Sequence, residues 1–82
     1  MFCINWEEKA LQELNKLERS VARRIVKKVD ELESGLQNCD VKKLRGTEDF
    51  RLRVGDYRII FSIEGNLILI LKIGHRKNIY HR

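Results

Sequence analysis

Five basic or aromatic side chains in the second half of this chain have the types and spacing to act on an anion: Arg51, Arg53, Arg58, Arg76 and Tyr80. Arginine offers five N–H donors in a rigid fork and stays protonated, so it binds phosphate well and exchanges protons poorly. Tyr80, four residues after Arg76, brings a phenol that can stack on a base or move a proton. An aromatic anchor pinning the C-terminus to a sheet explains the same residue without chemistry. His75 and His81 flank this region with no Cys, His or carboxylate at ligand spacing, so neither implies a metal. The chain also lacks a dinucleotide glycine motif, a P-loop and a Gly-x-Ser-x-Gly elbow. No cofactor is implied. The reaction that suits a set rich in arginine is cleavage of an RNA phosphodiester by its own 2′-hydroxyl. There the substrate supplies the nucleophile, and fixed cations orient it and stabilise phosphorane charge. Arginine is a poor base near neutrality, so such a site works best when a second macromolecule forces the RNA into line.

The element that must position these residues is the stretch Phe50 to Tyr80. Phe50, Leu52 and Val54 alternate with Arg51 and Arg53, the period of a half-buried strand. Gly55-Asp56 is a two-residue turn with glycine where a positive φ is needed. Tyr57, Ile59, Phe61 and Ile63 then continue the apolar face. This turn pairs Val54 with Tyr57 and Arg53 with Arg58, and it leaves Arg51 on the same side. Like charges facing each other across a sheet are destabilising. An anionic ligand explains three guanidinium groups on one face better than stability does, although solvent-facing cations on an edge strand remain the simpler alternative. Residues 1–49 carry ten Lys/Arg and ten Asp/Glu, whereas residues 50–82 carry seven against two. The whole net charge of +5 therefore lies on the strand half, as on a scaffold carrying a polyanion site.

Upstream, Phe2-Cys3-Ile4 is a short strand candidate. Asn5 is placed to cap a first helix over about Trp6 to Leu17, with Glu7 and Glu8 in its first turn. Ser20 opens a second helix whose stripe is Val21, Ile25, Val29, Leu32 and Leu36, with Gly35 as its C-terminal cap. The short joint at Glu18-Arg19 makes the two an antiparallel hairpin. Arg19, Arg23, Arg24, Lys27 and Lys28 read most simply as a solvated face pairing with acids three or four residues on. Gln37 to Thr47 reads as a polar loop. Leu67 to Leu71, an apolar run without alternation, reads as a central strand with both faces covered. The fold class is α+β: an N-terminal strand and a helical hairpin packed on a small antiparallel sheet, as one domain over residues 1–82.

Composition excludes other classes. At 43% hydrophobic and 35% charged, the chain is globular, and its longest apolar run is too short to span a membrane. Phe2-Cys3-Ile4 is too short for a secretory h-region. Cys3 and Cys39 are isolated and fit no metal spacing, which favours two reduced thiols and a cytoplasmic location over a single structural disulfide.

Several stretches together resemble the RelE/ParE toxin superfamily. They are Lys43-Leu44-Arg45-Gly46, Phe50-Arg51-Leu52-Arg53, Gly55-Asp56-Tyr57-Arg58-Ile59-Ile60-Phe61 and Gly74-His75-Arg76-Lys77-Asn78-Ile79-Tyr80. The resemblance covers nearly the whole chain and implies a microbial-RNase-like fold in the toxin of a type II toxin–antitoxin pair. The RelE branch implies a ribosome-dependent endonuclease that cuts mRNA in the decoding site. Carried over, Arg51 and Arg53 match the basic pair of the hairpin, usually lysines, while Arg58, Arg76 and Tyr80 match the rest of the catalytic set. Lys43, Arg45, His75 and Lys77 are candidates to hold RNA. The implied partners are an acidic, RelB-like antitoxin and the ribosome with its mRNA and rRNA. The ParE branch implies instead a DNA gyrase inhibitor without nuclease activity, and electrostatics alone would support a non-catalytic RNA-binding protein.

Overall fold

The computed structural model describes residues 1–79. The chain runs β1 (Cys3–Trp6), α1 (Glu8–Asn15), α2 (Arg19–Asp30), a 3-10 helix (Glu31–Ser34), β2 (Val41–Lys43), β3 (Phe50–Val54), β4 (Tyr57–Glu64) and β5 (Leu67–His75). The five strands form one sheet in the order β1-β5-β4-β3-β2. The expected α+β architecture is borne out, with one change. β1 pairs parallel with β5, so the sheet is mixed and not wholly antiparallel.

The N-terminal boundaries moved because strand pairing overrode helix signals. Trp6 aligns with Ile70, and the Glu7 N–H donates to the Ile70 carbonyl at 2.9 Å, so the chain stays extended past Asn5. Asn5 therefore caps nothing. Glu7 takes the N-cap position of α1 without a side-chain bond. α2 starts at Arg19, one residue before Ser20, and Ile25 and Val29 on it are fully buried. It tightens into the 3-10 helix that buries Leu32, and Gly35 ends that helix at φ 124°. Such a φ favours a residue without a Cβ.

α1 lies against β5 and α2 against β3, so both helices cover the same side of the sheet. The core they close contains Leu52, Val54, Ile59, Phe61, Ile68, Ile70 and Ile73 from the strands with Ala10, Ile25, Val29 and Leu32 from the helices. Phe50 and Phe61 stack with ring centres 5.6 Å apart. β5 is internal, flanked by β1 and β4, as the unbroken apolar run predicts. Only one of its faces is fully covered, however. Ile68, Ile70 and Ile73 are buried, while Leu67, Leu69 and Leu71 are half-buried on the side of the sheet that no helix covers among the described residues. The β4–β5 register shifts at Ile60/Phe61, with Ile60 opposite Lys72 and Phe61 opposite Ile70. Leu71 is thus an extra residue, the signature of a bulge. Beside it the Ile73 N–H donates to the Glu13 carboxylate at 2.9 Å, tying α1 to the strand. No helix among the described residues is long and apolar enough to cross a membrane.

Candidate functional site

The face of the sheet opposite the helices follows from the register. β3 and β4 align Arg53 with Arg58 and Val54 with Tyr57, as the Gly55-Asp56 turn requires, with Gly55 at φ 58°. Leu52, Val54 and Ile59 point into the core, and side chains alternate along a strand. Arg51, Arg53 and Arg58 consequently share the uncovered face. Two rows of partners cross it. The first runs Lys42, Arg51, Ile60, Lys72 over β2, β3, β4 and β5. The second runs Arg53, Arg58, Gly74. Ile60 is only 7% exposed, an apolar floor between the cations of the first row. Over Gly74 the chain folds back, with the Ile79 Cδ1 2.7 Å from where a Gly74 Cβ would stand. Glycine is required there because Ile79, itself buried, occupies the space of a side chain.

Each arginine of this face has a distinct setting. Arg58 Nη1 donates to the carbonyls of Gly55 at 2.9 Å and Tyr57 at 3.0 Å, which fixes its fork and leaves its other donors free. Arg51 and Arg53 each lie near the Asp40 carboxylate, at 3.5 and 3.9 Å. At the hairpin turn the Arg76 N–H donates to the Asp56 carbonyl at 2.7 Å, and its Nε lies 3.5 Å from the Asp56 carboxylate. This pairing brings the segment after β5 to the same end of the sheet as Arg53 and Arg58. Arg58 makes no ion pair among the described residues, so its charge is offset only by carbonyl dipoles. Such a collection of braced cations can bind a phosphodiester and stabilise the charge that builds on phosphorus-bound oxygens.

Not every candidate joins it. Lys43 is opposite Phe50, which packs in the core, so Lys43 points to the helix side and pairs with Glu48 at 3.6 Å. Arg45 lies in the exposed turn after β2, where Lys43 to Glu48 line a shallow depression away from the arginine face. His75 packs edge-on against Tyr57 at 5.6 Å, and its Nδ1 accepts the Lys77 N–H at 3.2 Å. Lys77 itself is exposed in the turn that follows β5. Tyr80 lies outside the described residues. Sequence reasoning places Lys42 beside Lys43 and Arg45 without assigning it to the site, and it gives Lys72 and Asp40 no part. Lys42 and Asp40 fell in a stretch read as loop, and β2 there has only Val41 as an apolar signal. Lys72 lies just beyond the apolar run that ends at Leu71, within β5. The alternation of Ile70, Lys72 and Ile73 is broken by the bulge, which hides the face each residue takes. Of the pairings expected along α2, Lys28 with Glu31 forms, at 3.6 Å.

Comparison with known proteins decides the family. The model of the ParE toxin of type II toxin–antitoxin systems matches residues 4–80. The chain belongs to the ParE toxin family. Among individual members of the RelE/ParE superfamily, it is 43% identical over 42 residues to Toxin RelE3 of Methanocaldococcus jannaschii. That match covers 50% of this chain and 48% of the relative, so the chain spans about half the length of the curated toxin it matches. Solved structures cover far more. The archaeal RelE–RelB complex from Pyrococcus horikoshii is 29% identical with a TM-score of 0.76, covering 94% of this chain and 97% of that one. The toxin–antitoxin complex RelBE2 from Mycobacterium tuberculosis, at 24% identity, shares the fold with a TM-score of 0.82 over 92% of this chain and 98% of that one.

Proposed function

We propose that this ParE-family chain is a toxin of the RelE type, an endoribonuclease that cuts mRNA in the decoding site of the ribosome. The observation that carries this reading is the uncovered sheet face, where Arg51, Arg53 and Arg58 share one side and Arg76 is tied to the adjoining turn. In the reaction the 2′-hydroxyl of the RNA attacks the adjacent phosphorus and the 5′-oxygen leaves, giving a 2′,3′-cyclic phosphate. Arg58 and Arg76 stabilise the charge on the phosphorane oxygens, and Arg51 and Arg53 hold backbone phosphate of mRNA or rRNA. Lys77, exposed in the turn beside Arg76, extends the contact with RNA at the periphery, whereas Lys43, Arg45 and His75 lie off this face; Tyr80 stacks on a base or transfers a proton. Arginines in place of lysines leave the protein short of a good base, which fits a reaction that relies on the ribosome to align the RNA. An acidic antitoxin covering the same cations would silence it in the cytoplasm, and RelB in complex with the Pyrococcus RelE supports a partner of that kind.

A second reading, inhibition of DNA gyrase by binding alone, is favoured by one observation, the ParE description of the matching family. The retention of four arginines at the hairpin and after β5 favours the nuclease. Primer extension on mRNA from a translating extract separates the two. The nuclease produces new 5′ ends within codons, absent without ribosomes and lost in Arg76→Ala. Intact mRNA together with blocked supercoiling would overturn it in favour of gyrase, and intact mRNA with salt-dependent retention would leave a binder only.

A further inference from the structure

Asp40 stands before the first arginines of the uncovered face, and the reaction outlined above gives it no part. Its position is set by backbone: the Arg53 N–H donates to the Asp40 carbonyl at 2.9 Å, immediately before β2 begins. From there each carboxylate oxygen faces a different arginine, Oδ1 with Arg51 Nη1 at 3.5 Å and Oδ2 with Arg53 Nη1 at 3.9 Å. Two non-bridging oxygens of a phosphate would address the same two groups in the same way. The contacts are also loose. Charge-assisted N–H···O bonds close to about 2.7–2.9 Å, and a pair this long with a carboxylate 56% exposed is held weakly. The two arginines differ in freedom. The Arg51 side chain is 17% exposed, so its guanidinium has little room to sweep, whereas that of Arg53 is 58% exposed.

We propose that the Asp40 carboxylate is a displaceable counter-ion that holds Arg51 and Arg53 at a phosphate-ready spacing and yields its place to an RNA phosphate. This rests on the reading of the face as an RNA site. Without substrate, Asp40 offsets the repulsion between the two guanidinium groups. When RNA arrives, a phosphate with more acceptor oxygens and shorter bonds takes both arginines, and the aspartate swings to water. Asp40 therefore lowers affinity while keeping the site in order, and it is a positioning residue that touches arginines, not RNA.

The test is binding of an RNA oligonucleotide with 2′-O-methyl substitution throughout, which cannot be cut, followed by fluorescence anisotropy at low salt. Asp40→Asn keeps the backbone bond and removes one negative charge close to the phosphate, so affinity should rise about fivefold. The slope of log affinity against log salt should steepen by about one. In an Arg51→Ala/Arg53→Ala background the same substitution should give no gain. Glu48→Gln makes an equal change in net charge on the other side of the sheet and should change affinity by less than about twofold. Asp40→Ser repeats the experiment if the asparagine variant folds poorly. An equal gain from Glu48→Gln, a gain that persists without the arginines, or no gain at all would each overturn the counter-ion role. Unchanged affinity in Asp40→Asn alongside normal mRNA cleavage would overturn it alone. Failure of every form to bind the oligonucleotide would overturn it together with the RNA reading beneath it.

Discussion

Arg58 differs from its neighbours in having backbone carbonyls where they have carboxylates. Its Nη1 is braced by Gly55 and Tyr57, two residues of the turn that also sets its register with Arg53. Bracing removes the reorganisation that a free arginine would undergo as charge develops, which is what electrostatic stabilisation requires. Arg58→Ala should lower ribosome-dependent mRNA cleavage by about 100-fold with the melting temperature nearly unchanged. Arg58→Lys should recover little of it, because a lysine point charge cannot hold two carbonyls and a phosphate in one plane. Quantitative primer extension on both variants checks this, and full activity in either would deny Arg58 the role. A second residue-scale expectation concerns the free thiols. Burial pushes the Cys39 thiol up, Glu31 adds to this and Lys28 partly offsets it. A raised value keeps the thiol protonated, so less thiolate is present at a given pH and alkylation slows. Cys39 should therefore react with iodoacetamide more slowly than the exposed Cys3 near neutral pH, with the lag shrinking as pH rises. Mass spectrometry over a time course reads both sites, and equal rates would contradict the burial argument.

At the scale of elements, local turn chemistry was legible and sheet context was not. Gly55-Asp56 dictates a two-residue hairpin, and from it alone the facing of Arg53 and Arg58 follows. The stripe of α2 was equally plain, because Ile25, Val29 and Leu32 recur at helical spacing. What failed depended on partners distant in sequence. Trp6 looked helical beside Ala10 and Leu14, but β5 captured it as strand. Val41–Lys43 has too few residues to announce itself, and only pairing with β3 makes it β2. The bulge at Leu71 depends on the register with β4, which no local pattern encodes. Its cost is met by Glu13, whose carboxylate accepts the Ile73 N–H across 60 residues of sequence. Glu13→Ala strands that donor in a partly buried site and should cost about 1–3 kcal/mol, whereas Glu13→Gln retains an acceptor and should cost less. Urea unfolding of both variants checks the order, and an equal loss would show that the carboxylate matters for something other than this bond.

Among the described residues, one face of the sheet is closed by helices and the other is not. The molecule's dimensions of 31 × 27 × 23 Å are a few Debye lengths at physiological salt, so charge on the open face still acts on an approaching polyanion. The net charge of +5 lies on the strand half of the sequence, and on the open face Lys42 and Lys72 add to Arg51, Arg53 and Arg58. On the proposed reading the fold and the charge serve one purpose: a rigid sheet would offer fixed cations to a ligand that supplies its own nucleophile. The 2′-hydroxyl is the group on which the proposed cleavage depends. Two mRNAs identical except for a single 2′-deoxy nucleotide at the mapped cut site would be translated in the presence of the protein. A new 5′ end is expected on the ribose message and none at that position on the deoxy message, with ribosomes stalled at the same codon on both. Cleavage of both messages at similar rates, or of neither, would contradict the proposed reading.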